Sequence, residues 1–400
     1  MIFHGMGTLQ GRRIACRRIH AVRALLAVAL VASGLASCSR PDKPASAPQV
    51  VRLGALLPLS GDNGPTGHRM IDAFKMAVKE ADDGGGVLGH RVEILTDDDA
   101  CDPGTAVVKA NELVAKDITV SVGGGCSVAA VPVLKIFRDA GIPMIIPAAN
   151  STDLLAPGYD SVFLLSGTTK IEAERAVAVL ANLGVGRLAV VHDGTSFSQT
   201  LASATVASVA QPGSNISVAA QHRLAQGATS YPRAVEIVLN ERADVVFFTG
   251  YYPEAATLIR DLRAANYSGL IMLSDAGTDP TLFSLLSPAE SEGVYGLTLP
   301  VAQFEPRAAA WAARYKLAYG NEPGPFTMQA YDAVRLALDA IRRAGTLDRA
   351  AVRKAIANTK PGDVELLSGP SEFTPDGTQI NPTFILLQIH DGAFTLVRQD

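Results

Sequence analysis

From residue 50 onward, short aliphatic runs alternate with stretches whose apolar positions recur every three to four residues. Residues 50–57 are rich in aliphatics, as expected of a strand covered on both faces. Met70, Phe74, Ala77 and Ala81 then fall at helical spacing and predict an amphipathic helix, which Gly84, Gly85 and Gly86 stop. Further strands are predicted at 91–96, 118–122 and 143–146, with helices over 105–115 and 128–139. A comparable series begins after Gly167, with helices at 172–182, 199–210, 231–240 and 254–265. Its strands fall at 187–192, 216–220, 244–249 and 270–273. Strand–helix alternation predicts parallel sheets with helices on both faces, and two series predict an α/β protein of two doubly wound lobes.

The remainder breaks the alternation. Helices are predicted at 307–319, 329–344 and 348–358, followed by a Gly/Pro-punctuated region of β character over 366–397. These pieces must complete the two lobes, so the chain is expected to cross between them more than once, through a hinge. The expected division is 50–167 plus 300–366 for lobe 1, and 168–299 plus 367–400 for lobe 2. Ligands of open α/β sheets bind beyond the carboxyl ends of the strands, which places a site in the cleft between the lobes.

Residues 1–37 read as a targeting segment. Arg12, Arg13, Arg17, Arg18 and Arg23 precede an apolar run over 24–32, too short for a stable transmembrane helix. Leu35-Ala36-Ser37-Cys38 resembles the bacterial lipobox, in which the cysteine is lipidated and opens the mature chain. The alternative is an ordinary signal peptide cut near Ala36, with Cys38 incidental. Residues 38–49 contain Pro41, Pro44 and Pro48 and little that could pack, so a flexible tether is expected. An anchor and a leash suit a domain that works just above a membrane surface.

Without residues 1–37 the formal charge moves from −4 to −9, because five arginines leave and no acid does. A mildly acidic domain argues against nucleic acid or anionic lipid as partners. Apolar residues at 48% and charged residues at 18% allow a sizeable core. Of four cysteines, Cys101 and Cys126 remain as a pair in an exported, oxidising setting. A bridge between them would close a loop worth about 3 kcal/mol in the chain-entropy picture. Two-cysteine metal binding is the competing reading, against which stands the lack of a histidine at ligand spacing.

Candidate chemistry lies at strand ends. Gly123-Gly124-Gly125-Cys126-Ser127 follows the third strand and precedes a helix, an arrangement that offers free N–H groups, a dipole and a hydroxyl to an anion. Ser127 as a plain helix cap is the blander reading. Residues 147–152, 250–254 and Ser274-Asp275 occupy equivalent positions. His192-Asp193 reads as a structural loop, and Asp97-Asp98-Asp99 as a solvated turn leading to Cys101. There is no Gly-x-Ser-x-Gly elbow, no His-Glu-x-x-His and no dinucleotide fingerprint. No enzyme and no cofactor are therefore expected, and an exported hydrolase lacks a nucleophile–base pair.

Several stretches together carry a family resemblance: Leu59-Ser60-Gly61, Asp98-Asp99-Ala100-Cys101-Asp102-Pro103, Cys126-Ser127, Pro147-Ala148-Ala149, Val191-His192-Asp193, and Gly250-Tyr251 with Pro253-Glu254. From about Val50 onward the chain resembles the leucine/isoleucine/valine-binding proteins, type I periplasmic binding proteins that serve branched-chain amino-acid ABC transporters. The resemblance implies a Cys101–Cys126 disulfide. It implies that Ser127 holds a ligand α-carboxylate, that the Ala148 carbonyl and Asp275 meet the α-ammonium, and that Tyr251 lines the carboxylate side. Phe197 and Phe326 match aromatic positions around the ligand. Asn150 stands where a threonine is common, Thr66 where an aromatic often closes the pocket, and Asp275 where a glutamate is expected. The implied role is a periplasmic, lipid-anchored monomer that delivers an amino acid to a transporter permease. The alternative is a ligand-sensing receptor module of the same fold, taking another small carboxylate or amide.

Overall fold

The structure, a computed structural model, describes residues 50–398. The expectations for residues 1–37, for the tether and for lipidation of Cys38 lie outside the described residues. Strand β1 (Val51–Leu57) is buried along its length except at Arg52. Helix α1 (Gly64–Asp83), β2 (Val92–Asp98), α2 (Pro103–Ala115), β3 (Val120–Ser121), α3 (Ser127–Asp139), β4 (Met144–Ile146) and β5 (Val162–Leu164) follow. They form a parallel sheet of order β2-β1-β3-β4-β5, with Val51 opposite Val92 and Leu53 opposite Val120.

The second series runs α4 (Thr169–Asn182), β6 (Arg187–His192), α5 (Ser196–Val209), β7 (Ser217–Arg223), α6 (Pro232–Asn240), β8 (Val245–Phe248), α7 (Tyr252–Ala264) and β9 (Leu270–Leu273). Two one-turn helices, α8 (Leu282–Leu285) and α9 (Pro288–Ser291), lead to β10 (Tyr295–Thr298). Helices α10 (Ala309–Tyr319), α11 (Thr327–Ala344) and α12 (Arg349–Ala357) precede β11 (Ile385–His390) and β12 (Ala393–Leu396). The second sheet has the order β12-β11-β10-β9-β8-β6-β7, parallel from β7 to β10 and antiparallel where β11 and β12 join it.

Several helices begin earlier than their apolar spacing suggests, and each has a cap. The Asp102 side chain accepts from the Thr105 N–H at 2.7 Å with Pro103 in the first turn of α2. Thr168 and Thr195 accept from the N–H groups of Ile171 and Ser198 at the starts of α4 and α5. Caps extend a helix beyond its buried stripe because they need no apolar residue.

The tail divides between the sheets. Tyr315 and Tyr331 on α10 and α11 donate to the Arg69 carbonyl and to Glu80 of α1. Arg349 donates to the carbonyls of Ile118 at 3.0 Å and Ala140 at 3.1 Å. Helices α10–α12 therefore pack around the first sheet. Buried Asp332 accepts from the N–H groups of Leu367 and Ser368, both at 2.8 Å. Thr378 then bridges to Leu164 at the edge of β5 before β11 enters the second sheet. The predicted β character over 366–397 is thus realised mainly in β11 and β12. Among the described residues the chain passes between the sheets three times: after β5, after β10 and before β11.

Candidate functional site: the interlobe cleft

Thr66, Ser127, Ala148, Asn150, Phe197, Tyr251, Asp275 and Phe326 all line one cleft, reached from the carboxyl ends of strands in both sheets. Pro58, Asn63, Met70 and Asp279 share the wall.

Part of the cleft lining suits an anion. Cys126 occupies the cap position of α3, and Ser127 is the first helical residue rather than the cap. The Ser127 hydroxyl accepts from the Ser151 N–H at 3.2 Å, so its own proton remains available to donate. The opening N–H groups of a helix have no intrahelical acceptor. Cys126 is joined to Cys101 with the Cα atoms 5.4 Å apart, which ties this helix start to the loop after β2. The preceding glycines serve packing as well as access. A Cβ on Gly123 would lie 2.4 Å from the Leu56 nitrogen, and one on Gly125 2.6 Å from Pro58 Cδ.

Another part is acidic. Asn150 Nδ2 donates to Asp275 Oδ2 and to Glu172 Oε2, each at 3.1 Å. Glu172 Oε1 accepts from the Asp275 N–H at 3.1 Å. Burial pushes the Asp275 carboxyl up to about 7, and burial together with the nearby Asp275 charge raises Glu172 well above its usual range. Among the described residues no donor reaches the Ala148 carbonyl.

On the cleft wall, Phe197 and Tyr251 meet edge-on with ring centroids 5.6 Å apart. Burial, reinforced by Asp193, keeps the Tyr251 phenol far above its ordinary value, so it stays a neutral donor. Phe326 holds φ 61°, a left-handed conformation rare for an aromatic, just before α11. Thr66 and Arg69 of α1 both donate to Asp279, and Tyr252 donates to the Asp62 carbonyl. Burial opposes the Asp279 charge, but Arg69, Thr281 and Thr66 outweigh it and hold the carboxyl below its usual range. The two lobes therefore touch directly across the cleft.

Sequence reasoning missed Glu172 and Asp279. Glu172 sits in the first turn of α4, where an acid is ordinarily read as a response to the helix dipole. Asp279 lies four residues past Asp275 beyond the β9 strand end, and that position was its available signal. The aspartate run also differs from expectation: Asp98 accepts from the Leu59 N–H at 2.8 Å, and Asp99 is 2% exposed, its carboxyl pushed by burial up to about 6. His192 and Asp193 end β6 with the Asp193 N–H donated to Ser198 at 3.0 Å, a structural arrangement.

Two α/β lobes with a partly polar cleft at facing strand ends define the type I bilobal binding fold. The profile of the family described as periplasmic binding protein matches residues 50–393, and the chain belongs to that family. It is a family of substrate-binding proteins, not of enzymes. The Leu/Ile/Val-binding protein homolog 3 of Brucella melitensis is 30% identical over 93% of this chain and 98% of its own length. A leucine-, isoleucine-, valine-, threonine- and alanine-binding protein of Pseudomonas aeruginosa is 28% identical over 92% and 96% respectively. The fold is shared with the leucine-binding protein LivK of Thermotoga maritima at a TM-score of 0.80 and 23% identity, covering 87% of this chain and 98% of that one. A solute-binding protein from R. palustris in complex with benzoate has a TM-score of 0.77 at 20% identity, covering 87% and 96%.

Proposed function

We propose that this protein is a non-catalytic, extracytoplasmic solute receptor that captures an α-amino acid, branched-chain or similarly aliphatic, for an ABC transporter permease. The observation that carries this reading is the mixed chemistry of one cleft. A helix start with the Ser127 hydroxyl and an acidic group made by Asp275, Asn150 and the Ala148 carbonyl line the same cleft. A zwitterion matches both with charge-assisted hydrogen bonds. The apolar walls of Met70, Phe197, Tyr251 and Phe326 suit an aliphatic side chain. Lobe 1 is assigned to 50–167 and 300–366 and lobe 2 to 168–299 and 367–400, with Thr378 as an outlier that bridges to Leu164. The lobes close by bending at the crossovers, and a monomer anchored in the periplasm through Cys38 offers the closed form to the permease.

The test is a thermal-shift screen of residues 39–400 against amino acids, small carboxylates and amides, followed by calorimetry. A ligand at 100 times its Kd stabilises by about 2.7 kcal/mol. Aliphatic amino acids should raise the midpoint, and Asp275→Ala or Ser127→Ala should weaken binding by about 30-fold or more, as loss of one partner from a buried charged contact does. Equal affinity in wild type and Asp275→Ala would sink the assignment. In cells, Cys38→Ser should move the full chain from the membrane to the soluble fraction. A second reading, a sensor of another carboxylate or amide, draws on Thr66, whose hydroxyl and Asp279 partner make that wall polar where an aromatic was expected. It prevails if only ligands lacking the ammonium produce a shift.

A further inference from the structure

We propose that Glu172 is a positioning residue that turns the Asn150 amide so that its carbonyl oxygen faces the ligand, and thereby makes the cleft select ligands bearing an ammonium group over carboxylates without one. The proposal rests on the reading of this cleft as the ligand site.

Glu172 is 0% exposed and stands behind Asn150 and Asp275 rather than on the cleft wall. Its two oxygens are both engaged, one by the Asp275 N–H and one by Asn150 Nδ2, each at 3.1 Å. The same Asn150 nitrogen donates to Asp275 Oδ2 at 3.1 Å. An amide nitrogen carries two hydrogens, so both are committed to carboxyl oxygens. Rotating the amide by half a turn would lose both hydrogen bonds and set its oxygen against two carboxyl oxygens. The orientation is therefore fixed, and Asn150 Oδ1, which accepts from no group among the described residues, is left to the cleft.

Asn150 is consequently an acceptor toward the ligand and cannot also donate to its carboxylate. Asp275, Asn150 Oδ1 and the Ala148 carbonyl then present three acceptors and no donor. An ammonium has three hydrogens to give, one for each. A carboxylate without the amine leaves a buried acid uncompensated at the same place. Glu172→Gln would replace one carboxylate oxygen by an N–H donor. Asn150 would then turn its oxygen inward to accept from it and direct its own N–H groups at the ligand's cation.

The experiment is calorimetry of wild type, Glu172→Gln, Asn150→Ala and the double variant with L-leucine and with 4-methylpentanoate, its counterpart lacking the amine. Wild type should prefer leucine, and Glu172→Gln should lose leucine affinity about tenfold or more while 4-methylpentanoate binding holds or improves. In the Asn150→Ala background the same change should have little further effect, since the coupling runs through Asn150. An unchanged leucine preference in Glu172→Gln, or an equal loss in both backgrounds, overturns the positioning role while leaving the amino-acid reading intact. Failure of wild type to bind leucine or any other amino acid defeats both. A second measurement needs no folded Glu172 variant: the Asn150 side-chain amide protons should exchange slowly with and without leucine. Fast exchange, or hydrogen bonding of these protons to the ligand carboxylate, overturns the proposed orientation.

Discussion

At Asp275 a carboxylate is held in a buried site with an acidic neighbour and no cation among the described residues, and that sets its response to pH. Its carboxyl lies at about 7 in the folded chain because burial penalises the charge. Between the ordinary carboxylate range and 7, the folded protein keeps a proton that the unfolded chain has released. Stability of the ligand-free protein should therefore fall as pH rises through that window, by up to about 1.4 kcal/mol per pH unit for one such group. Glu172 acts in the same direction, as do Asp99 and Asp332, each raised by burial to about 6. Thermal midpoints of the ligand-free domain should decline from pH 5 to 7.5 and decline less in Asp275→Asn. An ammonium ligand favours the ionised form, so its affinity should strengthen over the same interval and level off above it. A midpoint that climbs steadily to pH 7.5 would contradict the assignment. The sequence announced Asp275 and Ser127 through their strand-end positions. It could not announce Glu172, because the meeting of residues 150, 172 and 275 is made by tertiary packing.

Long amphipathic helices such as α1 and α11 declared themselves by spacing, and β1 by its aliphatic run. The three-residue β5 and four-residue β10 were missed, although the two-residue β3 and three-residue β4 were read. Caps would have corrected the starts of α2, α4 and α5. One helical glycine carries a sharper lesson. Gly67 lies in α1, where alanine would ordinarily favour the helix by about 1 kcal/mol. Here a Cβ would sit 1.8 Å from the Pro58 carbonyl oxygen, a backbone atom with little room to move. Gly67→Ala should therefore destabilise the protein, by about 1–3 kcal/mol, as overpacking does. Urea unfolding should show a lower midpoint at an unchanged slope, and a stabilised variant would mean that α1 shifts freely on the β1–α1 loop.

At the scale of the whole molecule, the lobes are in contact through Thr66, Arg69 and Asp279 and through Tyr252 and the Asp62 carbonyl. These contacts favour the closed arrangement independently of ligand. Asp279→Ala should leave Arg69 without its carboxylate and shift the population toward open forms. Small-angle scattering should then show a larger radius of gyration than wild type without ligand, with a greater contraction on adding a saturating amino acid. Identical radii would remove Asp279 from the closure. The two-lobe plan was readable because each lobe repeats a local strand–helix rhythm. The order of strands and the edge at which β11 joins were not, because edge choice depends on partners far away in sequence.

That return fixes when the molecule can fold. Tyr295 of β10 pairs with Gln388 of β11, so the second sheet waits for a segment made long after its other strands. Helices α10–α12, which complete the first lobe, are likewise synthesised after the second lobe has begun. Long-range pairing of this kind slows folding and delays a finished core until nearly all of the described chain is available. For a polypeptide threaded through a translocation pore as an extended strand, late folding is an asset: the chain stays transportable for as long as it is being made.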